Sequence, residues 1–229
     1  MGAIKNFFSN IFSSISENLI SGGAYYLIAK AVAVTALITI IAWIIAALVG
    51  MLISYVTCYE KKVVSKLGRV LSFIFRSFPV LLAVWLFYYC FCGGGTVSGI
   101  IICGLGIGLW GAGQFSELLS EAVGKNARKL SPNVRSRLEK VYFTAVVPQA
   151  IEDSLHETKR LAIQLFQWTT IAGYVSVNDL TQVMYGIGQR TMYPFFSIFF
   201  AAICYILATL VIEGIFKMIE KKLNKAQKQ

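Results

Sequence analysis

The sequence predicts an all-α membrane protein with about five transmembrane helices, an N-terminal interfacial amphipathic helix and a cytoplasmic coupling helix. Three observations predict it. Hydrophobic residues make up 57% of the chain and charged residues only 14%, whereas soluble domains carry about a quarter charged residues. The apolar residues fall in long blocks rather than amphipathic stripes, and the blocks approach or exceed the ~20 residues a helix needs to cross a bilayer. The basic residues gather between the blocks, on alternate connections.

That placement also accounts for the net charge of +10. On a soluble protein such a charge would suggest nucleic acid. No basic stripe with interleaved stacking aromatics is present, so no nucleic-acid partner is expected.

Residues 1–22 lack the unbroken apolar core of a signal peptide, because Asn6, Asn10, Ser13, Ser14, Glu17 and Asn18 interrupt it. Phe8, Ile11, Phe12, Ile15 and Leu19 share one helical face, which predicts a helix lying along the membrane surface. Residues 23–229 then form the membrane domain. Its first span runs over about 25–57, long enough to tilt or protrude. A second covers about 70–92 and a third about 96–119, joined across Gly93, Gly94 and Gly95. Pro79, after Arg76-Ser77-Phe78, predicts a kink in the second. Residues 120–158 are the one long polar segment, with a helix-start signal at Ser131-Pro132-Asn133. The fourth span, about 160–177, is the weakest; a polar loop follows at 178–193, then a fifth span at about 194–216 and a Lys-rich tail.

Charge sets the orientation. Lys61, Lys62, Lys66 and Arg69 lie in the first connection, six basic residues in the long segment with Lys159 and Arg160 just after it, and five lysines in the tail. Five spans put all three regions on one side, leaving Lys5 and Arg190 on the other. The positive-inside rule makes the crowded side cytoplasmic, with the N-terminus outside. The expected location is the cell (plasma) membrane, as a multi-pass protein.

Few groups invite chemistry. Gly106-x-Gly108-x-x-Gly111 matches a dinucleotide fingerprint by letter but sits in an apolar helix with no preceding strand. Gly104, Gly108, Ala112, Ser116 and Ser120, four apart, form instead a small-residue stripe that admits a close neighbouring helix. The five cysteines, Cys58, Cys90, Cys92, Cys103 and Cys204, have no zinc-type spacing, and the one histidine, His156, has no triad partners. No metal site and no catalytic residue is predicted. There is no Walker-type motif, so this chain is not itself an ATPase and binds no cofactor of its own.

The polar residues within spans are the candidates for a solute path: Arg76, Gln114, Ser116, Glu117, Gln164, Gln167, Thr169 and Thr170. An intramembrane ionisable group is costly and usually faces a cavity or a partner. Each also has a structural reading. Glu117 at a helix end can be solvated or paired, Arg76 can snorkel to the interface, and the glutamines and threonines can hydrogen-bond between helices.

At this point the chain resembles a family, the polar amino-acid ABC permeases. Phe75-Arg76-Ser77-Phe78-Pro79-Val80-Leu81-Leu82, leading into Phe87-Tyr88-Tyr89, resembles that family's R-G-T-P-L-L-V…Y-Y stretch. Phe115-Ser116-Glu117 is similar to its Y-x-A-E, and Val147-Pro148-Gln149-Ala150 to its L-P-Q-A. Thr169 to Leu180 resembles its T-S-L-x-x-x-I-G-V-x-E-L, and Arg190-Thr-Met-Tyr-Pro-Phe195 and the closing Ile219-Glu220-Lys221-Lys222 also fit. The likeness covers about residues 25–222. The family's E-A-A loop is degenerate here, with Ala127-Arg128-Lys129-Leu130-Ser131 near its place, and Gln167-Trp168 stand where the family has Lys-Asp.

The resemblance implies the membrane subunit of a type I importer, moving a polar amino acid or similar small solute inward by ATP-driven alternating access. It implies a second permease subunit, an ABC ATPase subunit that holds the ATP and Mg, and an extracellular substrate-binding protein. It places ATPase coupling on Ala127, Leu130, Ser131, Arg135, Leu138, Pro148 and Gln149. Two other readings stay open: a permease for another small solute, such as an oxyanion or short peptide, and a membrane anchor or assembly subunit with no route of its own.

Overall fold

A computed structural model describes residues 23–58, 62–91, 98–127, 142–192 and 194–226. Every regular element among them is helical: α1 (Ala24–Thr57), α2 (Lys62–Ser77), α3 (Val80–Phe91), α4 (Gly99–Ala127), a π-helical turn (Tyr142–Val146), α5 (Val147–Asp153), α6 (Leu155–Trp168), a 3-10 segment (Thr169–Val175), α7 (Leu180–Thr191) and α8 (Pro194–Ala226). The expected surface helix at 1–22, the glycine run at 93–95, and Leu130, Ser131, Arg135 and Leu138 of the coupling segment lie outside the described residues.

α1, α4 and α8 are each long and apolar enough to cross a membrane. α1, at 34 residues, is about 51 Å long, well beyond the ~30 Å hydrocarbon layer. Its exposed face carries Leu37, Ile40, Ile44, Leu48 and Leu52, an apolar face that needs lipid or a protein partner. Its buried face carries Ala42, Ala46, Gly50 and Ser54. This second small-residue stripe meets the one predicted on α4. A Cβ added at Gly108 would lie 2.9 Å from the Ala42 carbonyl oxygen, and one at Gly50 would lie 3.0 Å from the Ala112 carbonyl oxygen. The two helices run parallel at close approach, which is how small residues promote helix association in membranes.

α4 is the axis of the bundle. Besides α1, it receives α3 at Gly106 against Val84, α2 at Gly113 against Ser72 and Arg76, and α6 at Gly111 against Leu165. Trp110 and Trp168 meet edge to face, 5.8 Å between centroids. The main core fills these contacts with Ile38, Val84, Ile107, Phe115, Leu119 and Leu165. A smaller core, with Ala24, Ile28, Leu180, Met184, Ile187 and Phe196, joins α1, α7 and α8 near the start of α1.

Two predicted spans take other forms. The second is not one helix over 70–92. α2 and α3 meet at a 93° bend, with Phe78 and Pro79 between them. Proline has no N–H to continue the ladder and pushes the residue before it out of the helical region. The Pro79 carbonyl instead starts α3, accepting from the Ala83 N–H at 3.0 Å. The fourth predicted span, 160–177, is α6 followed by the 3-10 segment, and the polar loop expected at 178–193 is mostly α7. Asp179 starts α7, its carboxylate accepting from the backbone N–H groups of Thr181 and Gln182 at 3.0 Å each. Asn178-Asp179 is thus an N-cap rather than part of a loop. Among the described residues the bundle is built from three long helices, one bent pair, and one broken run of α6, the 3-10 segment and α7. That last run is too polar to count as an apolar span. α8 continues helical through Ala226, so much of the Lys-rich tail extends the fifth span.

Candidate functional site

Three polar regions stand out against the apolar exterior. The first lies where α2 crosses α4. α2 buries its small and polar face, Gly68 and Ser72, and exposes Val63, Leu67, Val70 and Ile74. Its exposed apolar face makes it a helix for the membrane boundary. Gly113 lets α2 come so close that Ser72 donates to the Gly113 carbonyl at 3.0 Å, and Ser116 donates to Ser72 at 2.7 Å. One turn on, Arg76 and Glu117 form an ion pair. Both side chains are about one-third exposed, 35% and 36%, and Arg76 also lies 5.8 Å from the Phe73 ring centroid. Below them Ser54 and Ser120 share a hydrogen bond of 3.0 Å, and Tyr142 donates to Ser54 at 2.7 Å. Burial pushes the Tyr142 phenol up from its ordinary value, so it remains a donor.

The second region is the outer face of α6. Thr158, Leu161, Ala162, Leu165 and Phe166 are buried, while Glu157, Arg160, Gln164 and Gln167 are exposed. Their spacing makes one continuous polar stripe. Thr169 is fully buried and satisfied, donating to the Phe166 carbonyl at 2.7 Å; Thr170 donates to the Gln167 carbonyl at 2.9 Å. Gln114 is half-buried on α4.

The structure therefore joins Arg76, Ser116 and Glu117 at the α2–α4 crossing and sets Gln164 and Gln167 apart on α6. Of the coupling residues, Pro148 and Gln149 are exposed on α5, and Ala127 ends α4.

The third region carries no motif in the sequence. A partly open cavity of about 870 Å³ lies between the first turns of α1, the end of α3, the start of α4, the 175–178 connection and α7. Lys30 and Arg190 both line it, with Ser98, Ser176, Asn178 and Gln182. Lys30 sits inside the first span, so a count of charges between spans passes it over. Only the fold brings it to Arg190.

The profile of one family, described as "Binding-protein-dependent transport system inner membrane component", matches residues 46–225. No curated protein sequence matches the chain. Among solved structures, "an amino acid ABC transporter with histidines" is similar at 18% identity and a TM-score of 0.69, covering 89% of this chain and 97% of that one. The MetNI methionine ABC transporter in an inward-facing conformation is similar at 18% identity and TM-score 0.58, covering 85% of this chain and 97% of that one. A second inward-facing MetNI structure gives 16% identity and TM-score 0.64, covering 86% and 96%. At such identities the structural likeness shows the fold alone. The family match extends from the middle of α1 almost to the end of α8, across the α2–α3 bend, the α4 axis and the α6 stripe. The chain belongs to the family of binding-protein-dependent transport system inner membrane components, the permease subunits of ABC importers.

Proposed function

We propose that this permease subunit moves a polar amino acid, or a similarly small solute, inward through a path bordered by the outer face of α6. The polar stripe of α6 carries the reading. The long helices α1 and α8 instead present apolar side chains on the exterior, such as Leu48 and Leu52 of α1 and Ile206 and Leu210 of α8. Hydrocarbon cannot satisfy the amides of Gln164 and Gln167, so that face belongs against water or a partner subunit. A second permease placed there would enclose a polar seam. A small zwitterion stripped of water needs such hydrogen-bond partners, and weak ones suit a route that must release what it binds. The likeness to an amino acid transporter and a methionine transporter supports the solute class.

In this reading an ABC ATPase subunit on the cytoplasmic side supplies ATP and Mg. It docks on the segment that ends at the exposed Pro148 and Gln149 of α5. Closure of the ATPase pair switches the two permeases between discrete packings. An extracellular binding protein delivers the solute.

The test is uptake by the whole complex, purified with its own ATPase and reconstituted in proteoliposomes. The double variant Gln164→Leu/Gln167→Leu should lower uptake of a radiolabelled amino-acid panel about tenfold, equivalent to ~1.4 kcal/mol. Assembly and basal ATP hydrolysis should stay near the parent values. If uptake is unchanged and the variant is more heat-stable, the face meets lipid and the path lies elsewhere.

Orientation is tested separately. On a Cys-free background in intact cells, a membrane-impermeant thiol reagent should label Tyr185→Cys, exposed near the middle of α7. It should label Lys225→Cys, at the end of α8, only after the cells are opened. Labelling of Lys225→Cys in intact cells would invert the assignment.

A further inference from the structure

The large cavity near the start of α1 is not used by the path just proposed. Its charge is one-sided. Lys30 and Arg190 line it and no carboxylate does among the described residues. The nearest candidate in sequence, Asp179, follows the lining residue Asn178 but is fully buried. Its oxygens are held by the Thr181 and Gln182 N–H groups at the start of α7, so it turns inward and leaves the cavity cationic. Residues 92–97, which precede the lining residue Ser98, contain no acidic side chain.

The polar lining is also selective in kind. Neutral hydroxyls and amides, Ser98, Ser176, Asn178 and Gln182, line the cavity with the two cations, together with apolar side chains such as Leu27 and Ile187. An inorganic oxyanion would call for a dense shell of donors. A mixed wall with a few convergent polar groups suits an organic anion, with a charged head and an uncharged body. The volume, about 870 Å³, falls in the range of small-molecule sites, ~300–1,000 Å³. Positive charge in a low-dielectric recess focuses the field and raises the local concentration of anions.

We infer that Lys30 and Arg190 make this cavity a vestibule on the outer side that receives the carboxylate of a small organic solute before it enters the path. The inference rests on the transport reading above and narrows its solute to molecules that carry a carboxylate. The vestibule is a weak, electrostatically loaded waiting site. Neutralising it slows capture without disturbing the path itself.

The experiment uses the complete complex in nanodiscs of zwitterionic phosphatidylcholine. The native cysteines of this chain are replaced and Ser176→Cys is introduced as a reporter. Modification rates are compared for anionic sulfonatoethyl and cationic trimethylammonioethyl methanethiosulfonate. The ratio of anionic to cationic rate should fall about tenfold when Lys30→Gln and Arg190→Gln are combined. Glycine and L-glutamate should slow the anionic reagent, and glycinamide, which lacks the carboxylate, should not. If Ser176→Cys yields no complex, Ser98→Cys, which lines the same cavity from the start of α4, reports instead.

A ratio unmoved by the double variant overturns the vestibule and leaves both cations as interface anchors. Protection that needs phosphatidylglycerol in the nanodisc overturns it in favour of a lipid headgroup. Protection that needs the purified binding protein overturns it in favour of a docking surface. These outcomes are separable from the transport reading. Loss of the charge effect with an intact Gln164/Gln167 uptake defect removes only the vestibule. A preserved charge effect with uptake unchanged in Gln164→Leu/Gln167→Leu removes the path.

Discussion

Replacing Gly113 by alanine should destabilise the bundle by about 1–3 kcal/mol, and replacing it by valine should leave little folded chain to recover. The reason is the identity of the atoms that a new Cβ would meet. At Gly113 they are the backbone N of Arg76 at 2.7 Å and the backbone O of Ser72 at 2.9 Å. Backbone atoms of a packed helix cannot step aside as the end of a flexible side chain can. α2 would have to lift as a unit. That lift would break the Ser72–Gly113 and Ser116–Ser72 hydrogen bonds and separate Arg76 from Glu117. Each hydroxyl left without a partner adds its own desolvation cost. Gly124, in the same helix, is the matched control, since nothing lies within 4 Å of a Cβ placed there. Gly124→Ala should be neutral or stabilising by up to about 1 kcal/mol, the helix-propensity difference. Thermal stability of the purified complex in detergent, followed by size exclusion, compares the three. A Gly113→Ala complex as stable as the parent would show that α2 is loosely seated and the close approach dispensable.

How much of this is written in the sequence differs by element. The three long helices are legible because their apolar runs exceed what any soluble element needs. The α4 stripe is legible because a four-residue repeat survives in one dimension. Its counterpart, Ala42, Ala46, Gly50 and Ser54, has the same spacing but is surrounded by large apolar residues, and only the fold shows which face of α1 is inside. Pro79 announces a bend but not its size, because the angle depends on where α2 finds its partner, and that partner is Gly113. α7 is hidden because Thr181, Gln182, Gln189 and Arg190 dilute its apolar positions, and Gly186, Gly188 and Pro194 border or interrupt it. Its stability comes from the Asp179 cap and from Leu180, Met184 and Ile187 against α1 and α8. The candidate site is legible in parts. Arg76, Ser116 and Glu117 each stand out for their cost in a membrane, yet no spacing rule joins residues 41 positions apart. Lys30 and Arg190 are further apart still, and each has an ordinary reading as an interfacial cation when seen alone.

The ion pair between Arg76 and Glu117 gives the second large effect. Glu117→Gln and Arg76→Gln should each reduce ATP-driven uptake at least tenfold, and the exchange Arg76→Glu/Glu117→Arg should restore most of it. The pair ties the last turn of α2 to α4 immediately before the Phe78-Pro79 break, so it fixes α2 on one side of a 93° bend. At the surface of a soluble protein such a pair would contribute only about 0–1 kcal/mol. Beside a bilayer the comparison changes, because the charge left behind faces the Phe73 ring and the membrane boundary rather than bulk water alone. An unpaired Arg76 would turn toward the membrane boundary and take the end of α2 with it. Glutamine keeps the volume of Glu117 and removes its charge, so lost packing does not confound the result. Assembly should survive the single variants, since Gly113, Ser72 and Ser116 still seat α2. The transport defect should therefore come from an altered α2–α3 bend, and the charge exchange, which rebuilds the tie with its polarity reversed, should repair it. Three measurements on each variant decide the matter: complex yield, basal ATP hydrolysis and uptake. Rescue by the exchange identifies a positioning pair. An intact complex with uptake lost in the exchange as well as in Glu117→Gln would place the Glu117 carboxylate in direct contact with the solute. Loss of complex in Glu117→Gln, recovered in the exchange, would make the pair a requirement of assembly rather than of movement.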